Sequence, residues 1–118
     1  WSIEGEVIKG YKRGRKIGFP TCNIKWSSYA LPKLGVYAVK VETKNFKKKG
    51  IANIGYRPTF NGKTLLLEVN IFGINSNLYK KILRVSFIRF IRPESKFKNI
   101  NELKNQIKKD IIVAKKNV

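Results

Sequence analysis

The stretch Thr64 to Phe72, TLLLEVNIF, decides the fold because its apolar residues recur with the two-residue period of a β-strand. One face of the predicted strand is wholly apolar and consists of Leu65, Leu67, Val69 and Ile71. The opposite face consists of Leu66, Glu68, Asn70 and Phe72. A strand of this kind packs one face on a hydrophobic core, so the chain should contain an antiparallel sheet with a buried side.

Further strands are predicted on both sides of this segment, where short apolar stretches alternate with turn signals. The predicted strands are Ser2 to Lys9, Val36 to Thr43, a short one around Ile51 to Ile54 and a long one from about Tyr79 to Ile91. The predicted interruptions are a lysine-rich hairpin loop at Asn45 to Gly50, a break in the ladder at Arg57, Pro58 and Thr59, and a hairpin turn at Asn61-Gly62.

The last segment predicts an amphipathic helix. Asn99 followed by Glu102 resembles a capping box. Apolar residues then recur at helical spacing, at Ile100, Leu103, Ile107, Ile111 and Ala114. No helices lie between the strands to make parallel crossovers, so the strands should be antiparallel. The sequence therefore predicts an all-β fold with one C-terminal helix: a closed Greek-key β-barrel of about six strands with the helix packed outside.

Length and composition restrict the possible functions. A chain of 118 residues can bury one hydrophobic core, so residues 1–118 should form a single domain. Its apolar runs are shorter than the roughly 18 residues of a membrane-spanning helix, so no membrane partner is expected. Cys22 is the single cysteine, which excludes an intramolecular disulfide and favours a cytoplasmic location. Without histidine, any proton transfer must use a carboxylate, a lysine or a tyrosine.

The net charge of +19 suggests a polyanionic partner such as nucleic acid. The cations are spread along the chain without a dense tail, which weakens that interpretation. A basic β-barrel that binds nucleic acid is kept as an alternative function, although nucleic acid is not the favoured partner.

The segment Gly10 to Asn23, GYKRGRKIGFPTCN, combines glycines and cations with a Phe-Pro corner that leads to Thr21 and Asn23. Glycines let backbone N–H groups approach an anion, and Arg15 and Lys16 can offset phosphate charge. A hydroxyl and an amide oxygen can hold Mg²⁺ beside the phosphates. The segment therefore indicates a nucleotide site. The alternative is a basic turn-rich loop in which Thr21 and Asn23 bond only the local backbone.

Glu68 is the candidate catalytic residue. A carboxylate in the middle of an apolar strand is unfavourable unless it faces solvent, a cation or a functional cavity. A glutamate within hydrogen-bond reach can accept the proton of a hydroxyl that attacks phosphorus. The alternative is a charged residue on an exposed face of the sheet.

Taken together, these segments resemble the riboflavin kinase family, in particular the kinase module of bacterial bifunctional riboflavin kinase and FAD synthetase proteins. The match is ordered and spans nearly the whole chain. Its blocks are SIEGEVIKG (2–10), RGRKIGFPTCN (13–23), LPKLGVYAV (31–39), ANIGYRPTF (52–60), LEVNIF (67–72), LYKKILRVSFIRFIRPESKF (78–97) and the closing amphipathic helix. The resemblance implies a six-stranded barrel and transfer of the γ-phosphoryl of ATP to the ribityl 5′-hydroxyl of riboflavin, giving FMN.

The resemblance also implies roles for individual residues. Thr21 and Asn23 would contact Mg²⁺ and phosphate, and Glu68 would be the general base. The nucleotide would lie near Gly10, Arg15 and Lys16. The flavin would lie near the segment from Arg92 to Phe97.

Two positions depart from the family pattern: Cys22 replaces an alanine, a nearly isosteric change, and Asn70 replaces a histidine beside the nucleotide. In the bifunctional proteins an FAD synthetase domain precedes the kinase, and no such domain precedes Trp1 in this sequence. A flavin-binding module without activity is a further alternative, which the presence of Thr21, Asn23 and Glu68 argues against.

Overall fold

The computed structural model describes residues 1–8, 21–26, 33–60, 62–74 and 78–117. In this part of the chain, six antiparallel strands form a closed barrel, followed by one helix. The elements are β1 (Ser2–Ile8), β2 (Cys22–Trp26), β3 (Gly35–Glu42), β4 (Lys47–Thr59), β5 (Gly62–Ile71), β6 (Ile82–Arg92) and helix α1 (Ile100–Asn117). The predicted fold class is confirmed. Across the described ranges, no helix has the length and the apolar character that crossing a membrane requires.

The strands lie around the barrel in the order β1-β2-β5-β4-β3-β6, with β1 pairing to β6 to close it. Strands β3, β4 and β5 follow one another as hairpins, whereas β2 lies beside β5, which is distant in sequence. This arrangement places β5 between β2 and β4. Residues from three separated parts of the sequence therefore meet on neighbouring strands.

The barrel interior is filled by apolar side chains from all six strands. The least exposed of them include Ile3, Ile24, Val39, Val41, Ile54, Leu67, Val69, Leu83 and Val85. The predicted apolar face of β5 is confirmed, since Leu67 and Val69 are fully buried in this core. Gly5 of β1 lets the backbone of β2 approach closely, because a Cβ atom at this position would overlap the carbonyl oxygen of Lys25.

Helix α1 packs on the outside of the barrel against β3, β4 and β6. The apolar contact surface consists of Ala38, Ile51, Phe72, Ile91, Ile107, Ile111 and Ala114. The predicted cap is confirmed: Asn99 Oδ1 accepts a hydrogen bond from the Glu102 N–H at 2.9 Å. Glu102 Oε2 in turn accepts one from the Lys98 N–H at 3.0 Å.

Strand β4 is much longer than the predicted strand around Ile51 to Ile54. The predicted loop at Asn45 to Gly50 is wrong for Lys47 to Gly50, which pair with β3. The turn is confined to the residues before Lys47 because the Thr43 hydroxyl accepts hydrogen bonds from the N–H groups of Asn45 and Phe46, at 3.0 and 3.2 Å. The run of lysines suggested a loop, but Lys47, Lys48 and Lys49 pair with β3 through their backbone while their side chains are exposed to solvent.

The predicted break at Arg57, Pro58 and Thr59 is also wrong, because β4 stays paired with β5 as far as Thr59 opposite Gly62. Pairing of β4 with β3 ends at Ile54, so Pro58 has no β3 residue opposite it in this register. A proline can occupy a strand where its missing N–H would face away from a ladder. The predicted hairpin reversal is present between Thr59 and Gly62; Asn61 lies outside the described residues.

Candidate active site

Strand β2 places Asn23 directly beside Glu68. The pairing of β2 with β5 sets Asn23 opposite Glu68 and Ile24 opposite Leu67. Directly opposed residues of an antiparallel pair project on the same face. Ile24 and Leu67 fill the barrel core, so Asn23 and Glu68 both lie on its outer face. Asn23 is therefore a strand residue, and the alternative of a local Pro-Thr-x-Asn turn is wrong for this position.

Strand β4 adds Asn53 on the other side of Glu68. Asn53 lies opposite Glu68 in the pairing of β4 with β5. Its neighbours Ala52 and Ile54 belong to the core, so Asn53 also projects outward. The three residues Asn23, Glu68 and Asn53, called here the polar row, cross three adjacent strands. Because neighbouring strands lie about 4.8 Å apart, the two asparagine backbones are about 10 Å apart with the glutamate between them.

The polar row contains buried acceptor atoms without donors. Asn23 is only 4% exposed. Among the described residues, the buried side-chain oxygens that lack a hydrogen-bond partner are Asn23 Oδ1 and Asn53 Oδ1. A buried unsatisfied acceptor costs about 1–3 kcal/mol, so two such atoms beside one carboxylate indicate a site that a ligand completes.

The site fits a Mg²⁺ ion on its β2 side. Mg²⁺ prefers oxygen ligands and retains several from water or phosphate. The unpartnered amide oxygen of Asn23 is a ligand of this type, and the half-buried Thr21 immediately precedes β2. Over the described ranges there is no group of three or more Asp, Glu, Cys or His side chains that would hold a metal by itself. A cation here would therefore need phosphate oxygens to complete its shell.

Arg92 and Phe97 lie together beyond β6. The Arg92 Nη1 group donates hydrogen bonds to the Pro93 carbonyl at 3.1 Å and to Ser95 Oγ at 3.4 Å. The guanidinium carbon lies 5.7 Å from the centroid of the Phe97 ring. Arg92 thus ties the segment 93–97 to the end of its own strand.

Asp110 anchors Arg92 from helix α1 and was missed by sequence reasoning. Arg92 Nε and Nη2 donate to the Asp110 carboxylate, with the closest atoms, Nη2 and Oδ2, 2.9 Å apart. Asp110 is 2% exposed and also accepts a hydrogen bond from Gln106 Nε2 at 3.0 Å. A sequence signal existed: Asp110 lies three residues after Ile107 and four before Ala114, so it falls on the apolar stripe of the helix.

Glu94, in the segment 93–97, reaches over β4 close to the polar row. The Glu94 carboxylate occupies the space where a Cβ atom at Gly55 would be. Gly55 is two residues after Asn53, so both positions lie on the same outer face of β4. The predicted flavin segment and the predicted catalytic glutamate are therefore on the same side of the barrel.

The two departures from the family pattern have different environments. Cys22 is partly buried and packs on the barrel core, and its burial raises the pKa of the thiol. It is consequently a poor nucleophile at neutral pH. Asn70 lies on β5 opposite Ile51, two residues beyond Glu68. The predicted nucleotide residues Gly10, Arg15 and Lys16 lie outside the described residues.

Comparisons with known proteins identify the family of this chain. The family model described as Flavokinase: Riboflavin kinase matches residues 1–118. A bifunctional riboflavin kinase/FMN adenylyltransferase from Haemophilus influenzae is 47% identical over 116 residues, covering 98% of this chain and 38% of that protein. The chain thus spans well under half the length of this curated relative.

Solved structures show the same fold. A protein from Streptococcus pneumoniae, described as a macrolide-efflux protein, has a TM-score of 0.88 and 36% identity, over 97% of this chain and 38% of that one. Riboflavin kinase from Trypanosoma brucei has a TM-score of 0.64 at 19% identity, over 98% of this chain and 77% of that one, which shows a shared fold. With the family model matching from end to end, this chain belongs to the riboflavin kinase family.

Proposed function

We propose that this domain transfers the γ-phosphoryl group of ATP to the ribityl 5′-hydroxyl of riboflavin and so forms FMN. The observation that carries the proposal is the pairing of Asn23 with Glu68 on one face of the barrel, with a buried amide oxygen that has no partner. Membership of the riboflavin kinase family supports the choice of substrates.

Glu68 is the general base in this proposal. Phosphoryl transfer requires little covalent chemistry from the protein and depends on positioning and charge neutralisation. The oxygen of the 5′-hydroxyl attacks the γ-phosphorus while the Glu68 carboxylate accepts the hydroxyl proton. The bond between the γ-phosphorus and the leaving oxygen of ADP breaks in the same step. The half-buried position of Glu68 on β5, a strand paired on both sides, orients the carboxylate and leaves it accessible to substrate.

Asn23 and Thr21 would hold Mg²⁺ on the β2 side, through the amide oxygen and the hydroxyl respectively. When bound, this ion neutralises charge on the phosphates of ATP. Gly10, Arg15 and Lys16 are proposed to bind the nucleotide, by close backbone approach and by their positive charges. This places the nucleotide on the β2 side of Glu68.

The flavin is proposed to bind on the opposite side, near the segment 93–97. Phe97 offers an aromatic surface for the flavin ring. The Arg92 guanidinium is already engaged by Asp110, Pro93 and Ser95. Arg92 therefore contributes to flavin binding mainly by fixing the position of this segment.

The domain is further proposed to work in the cytoplasm as one unit of residues 1–118 within a longer bifunctional protein. The support is that the Haemophilus influenzae relative, which this chain covers to 38% of its length, is a bifunctional riboflavin kinase/FMN adenylyltransferase. The kinase reaction proposed here needs only ATP, Mg²⁺ and riboflavin.

A direct assay tests the proposal. The purified domain is incubated with Mg-ATP and riboflavin, and FMN is separated from riboflavin by chromatography. FMN should appear in proportion to enzyme and should require both ATP and Mg²⁺. Folded protein that forms no FMN would overturn the proposal. Riboflavin fluorescence, titrated with and without Mg-ADP, then distinguishes a flavin-binding module without activity from a protein with an unrelated ligand.

A further inference from the structure

Asn53 has no role in the proposed reaction, yet its side chain has the features of a ligand-binding group. Its Oδ1 atom is buried and has no donor. It lies directly opposite Glu68 on the central part of β4, within a paired ladder that fixes its position. An acceptor buried without a donor is unfavourable in the ligand-free protein.

Position relative to Glu68 distinguishes Asn53 from Asn23. Asn23 lies on β2, the strand that follows the glycine-rich basic segment. Asn53 lies on β4, the strand that the Glu94 carboxylate of the segment 93–97 covers at Gly55. Glu68 on β5 separates the two sides. In the proposed arrangement, Asn53 therefore lies on the side of the acceptor substrate and not on that of the nucleotide.

The chemistry of the pair Asn53 and Glu68 matches a vicinal diol. Both side chains present acceptor oxygens, and opposed residues on neighbouring strands have Cβ atoms about 5 Å apart. Two adjacent hydroxyls of an extended polyol supply two O–H donors at a similar spacing. A ligand whose single hydroxyl bonds Glu68 would leave the buried Asn53 oxygen without a donor.

We infer that Asn53 binds the ribityl hydroxyl next to the one that is phosphorylated, the 4′-hydroxyl, through its amide oxygen. This inference rests on the proposed function. Asn53 is thus a specificity-determining residue: it recognises the polyol chain and sets the 5′-hydroxyl against Glu68. A misplaced hydroxyl would lower both binding and turnover, because orientation of the reacting groups supplies much of the rate.

The variant Asn53→Leu tests the inference, because it keeps the side-chain size and removes the acceptor. We expect kcat/KM for riboflavin to fall about tenfold, the value of one good hydrogen bond in a buried site. For a riboflavin analogue that lacks the 4′-hydroxyl, kcat/KM should change less than about twofold between wild type and variant, since that analogue cannot make the bond. The Mg²⁺ concentration for half-maximal activity should not change.

A structural role for Asn53 predicts a different result. If the residue only supported the fold, Asn53→Leu would lower the stability to chemical denaturation, and both substrates would be affected equally. We expect stability to be unchanged or raised instead, because the unsatisfied acceptor is gone. Asn105→Leu, the same change at an exposed position on α1, is the matched control. Asn53→Ala repeats the comparison should the leucine variant not fold.

The possible outcomes are separable. Equal loss for both substrates, or normal activity with riboflavin, would overturn the inference while leaving the kinase assignment intact. A raised Mg²⁺ requirement would also overturn it and would make Asn53 a cation ligand. If the wild-type domain makes no FMN, the proposed function itself fails, and that result is reached before any variant is compared.

Discussion

At the scale of single residues, the proposed function depends on side chains whose burial conflicts with their polarity. Glu68, Asn23 and Asn53 are polar groups on an outer face that is partly covered, and two of them have acceptors without donors. Ordinary surface positions of the same barrel, such as Glu42 with its 42% exposed side chain, show no such conflict. The same substitution at Glu68 and at Glu42 can therefore be compared to test whether Glu68 is catalytic.

Glu68→Gln should reduce kcat by about two to four orders of magnitude, because the amide cannot accept the proton of the attacking hydroxyl. The KM values for ATP and riboflavin should change little, since the side chain keeps its size. Initial rates of FMN formation measure the effect. Glu42→Gln, the same substitution on β3 in a surface ion pair with Lys47, should be almost inert. A Glu68→Gln enzyme with near-normal kcat would remove Glu68 from the catalytic role.

Cys22 gives a prediction about pH. Burial raises the pKa of this thiol above its ordinary value of 9.0. The folded state therefore favours the neutral thiol, and the resulting stability is complete below pH 9.0 and is lost as the pH rises through the higher folded value. Alkylation by iodoacetamide at pH 8, followed by mass spectrometry, should be much slower for folded than for unfolded protein.

Cys22→Ala provides the comparison for this prediction. Its stability should decline less between pH 8 and pH 10 than that of the wild type, because the group that titrates is absent. Its kcat should stay close to that of the wild type, since alanine fits the same partly buried position. Parallel pH dependence in the two proteins would show that the thiol does not contribute.

At the scale of elements, the decisive connection is between the end of β6 and helix α1. The Arg92–Asp110 ion pair ties the strand to the helix, and the same guanidinium fixes the segment 93–97. Helix packing and the proposed flavin site are therefore linked through one side chain. Loss of either partner should affect both properties.

Asp110→Asn should lower the free energy of unfolding by about 3 kcal/mol, because it leaves a largely buried guanidinium without its counter-charge. It should also raise the KM for riboflavin more than the KM for ATP, since the segment 93–97 loses its anchor. Urea denaturation and steady-state kinetics measure the two effects. An equal rise in both KM values would argue against a specific link between this ion pair and the flavin.

The elements also show what sequence patterns can reveal. The period of Thr64 to Phe72 and the stripe and cap of the C-terminal helix predicted those elements correctly, since their patterns are local. Strand β2 has only five residues and no clear alternation of apolar and polar residues. In β4, Pro58 suggested a break, but the strand stays paired with β5. In both segments, pairing with distant strands determines the structure. Sequence could nominate Asn23 and Glu68 separately. Their opposition, and the presence of Asn53 beside them, depend on a register that only long-range pairing sets.

At the scale of the whole molecule, β1 closes the barrel. Gly5 is opposite Trp26 of β2 and Leu83 of β6, so it lies where the closing strand is paired on both sides. Gly5→Ala should therefore destabilise the entire domain by about 1–3 kcal/mol, because the added methyl group would overlap the Lys25 carbonyl oxygen. Thermal unfolding followed by circular dichroism measures the loss. Ser2→Ala, at an exposed position on the same strand, should change stability by less than about 0.5 kcal/mol.

Because Asn23 and Asn53 carry unsatisfied oxygens, the thermal stability of the folded chain should report whether a ligand is bound. A compound that supplies the missing donors or a cation is held by the folded form alone, so mass action must shift the melting midpoint upward with its concentration. Mg-nucleotide and flavin can then be ranked separately by this shift, even in variants that no longer turn over. A rate assay measures catalysis and ligand binding together. The shift in melting midpoint measures binding alone, so the two properties can be determined separately.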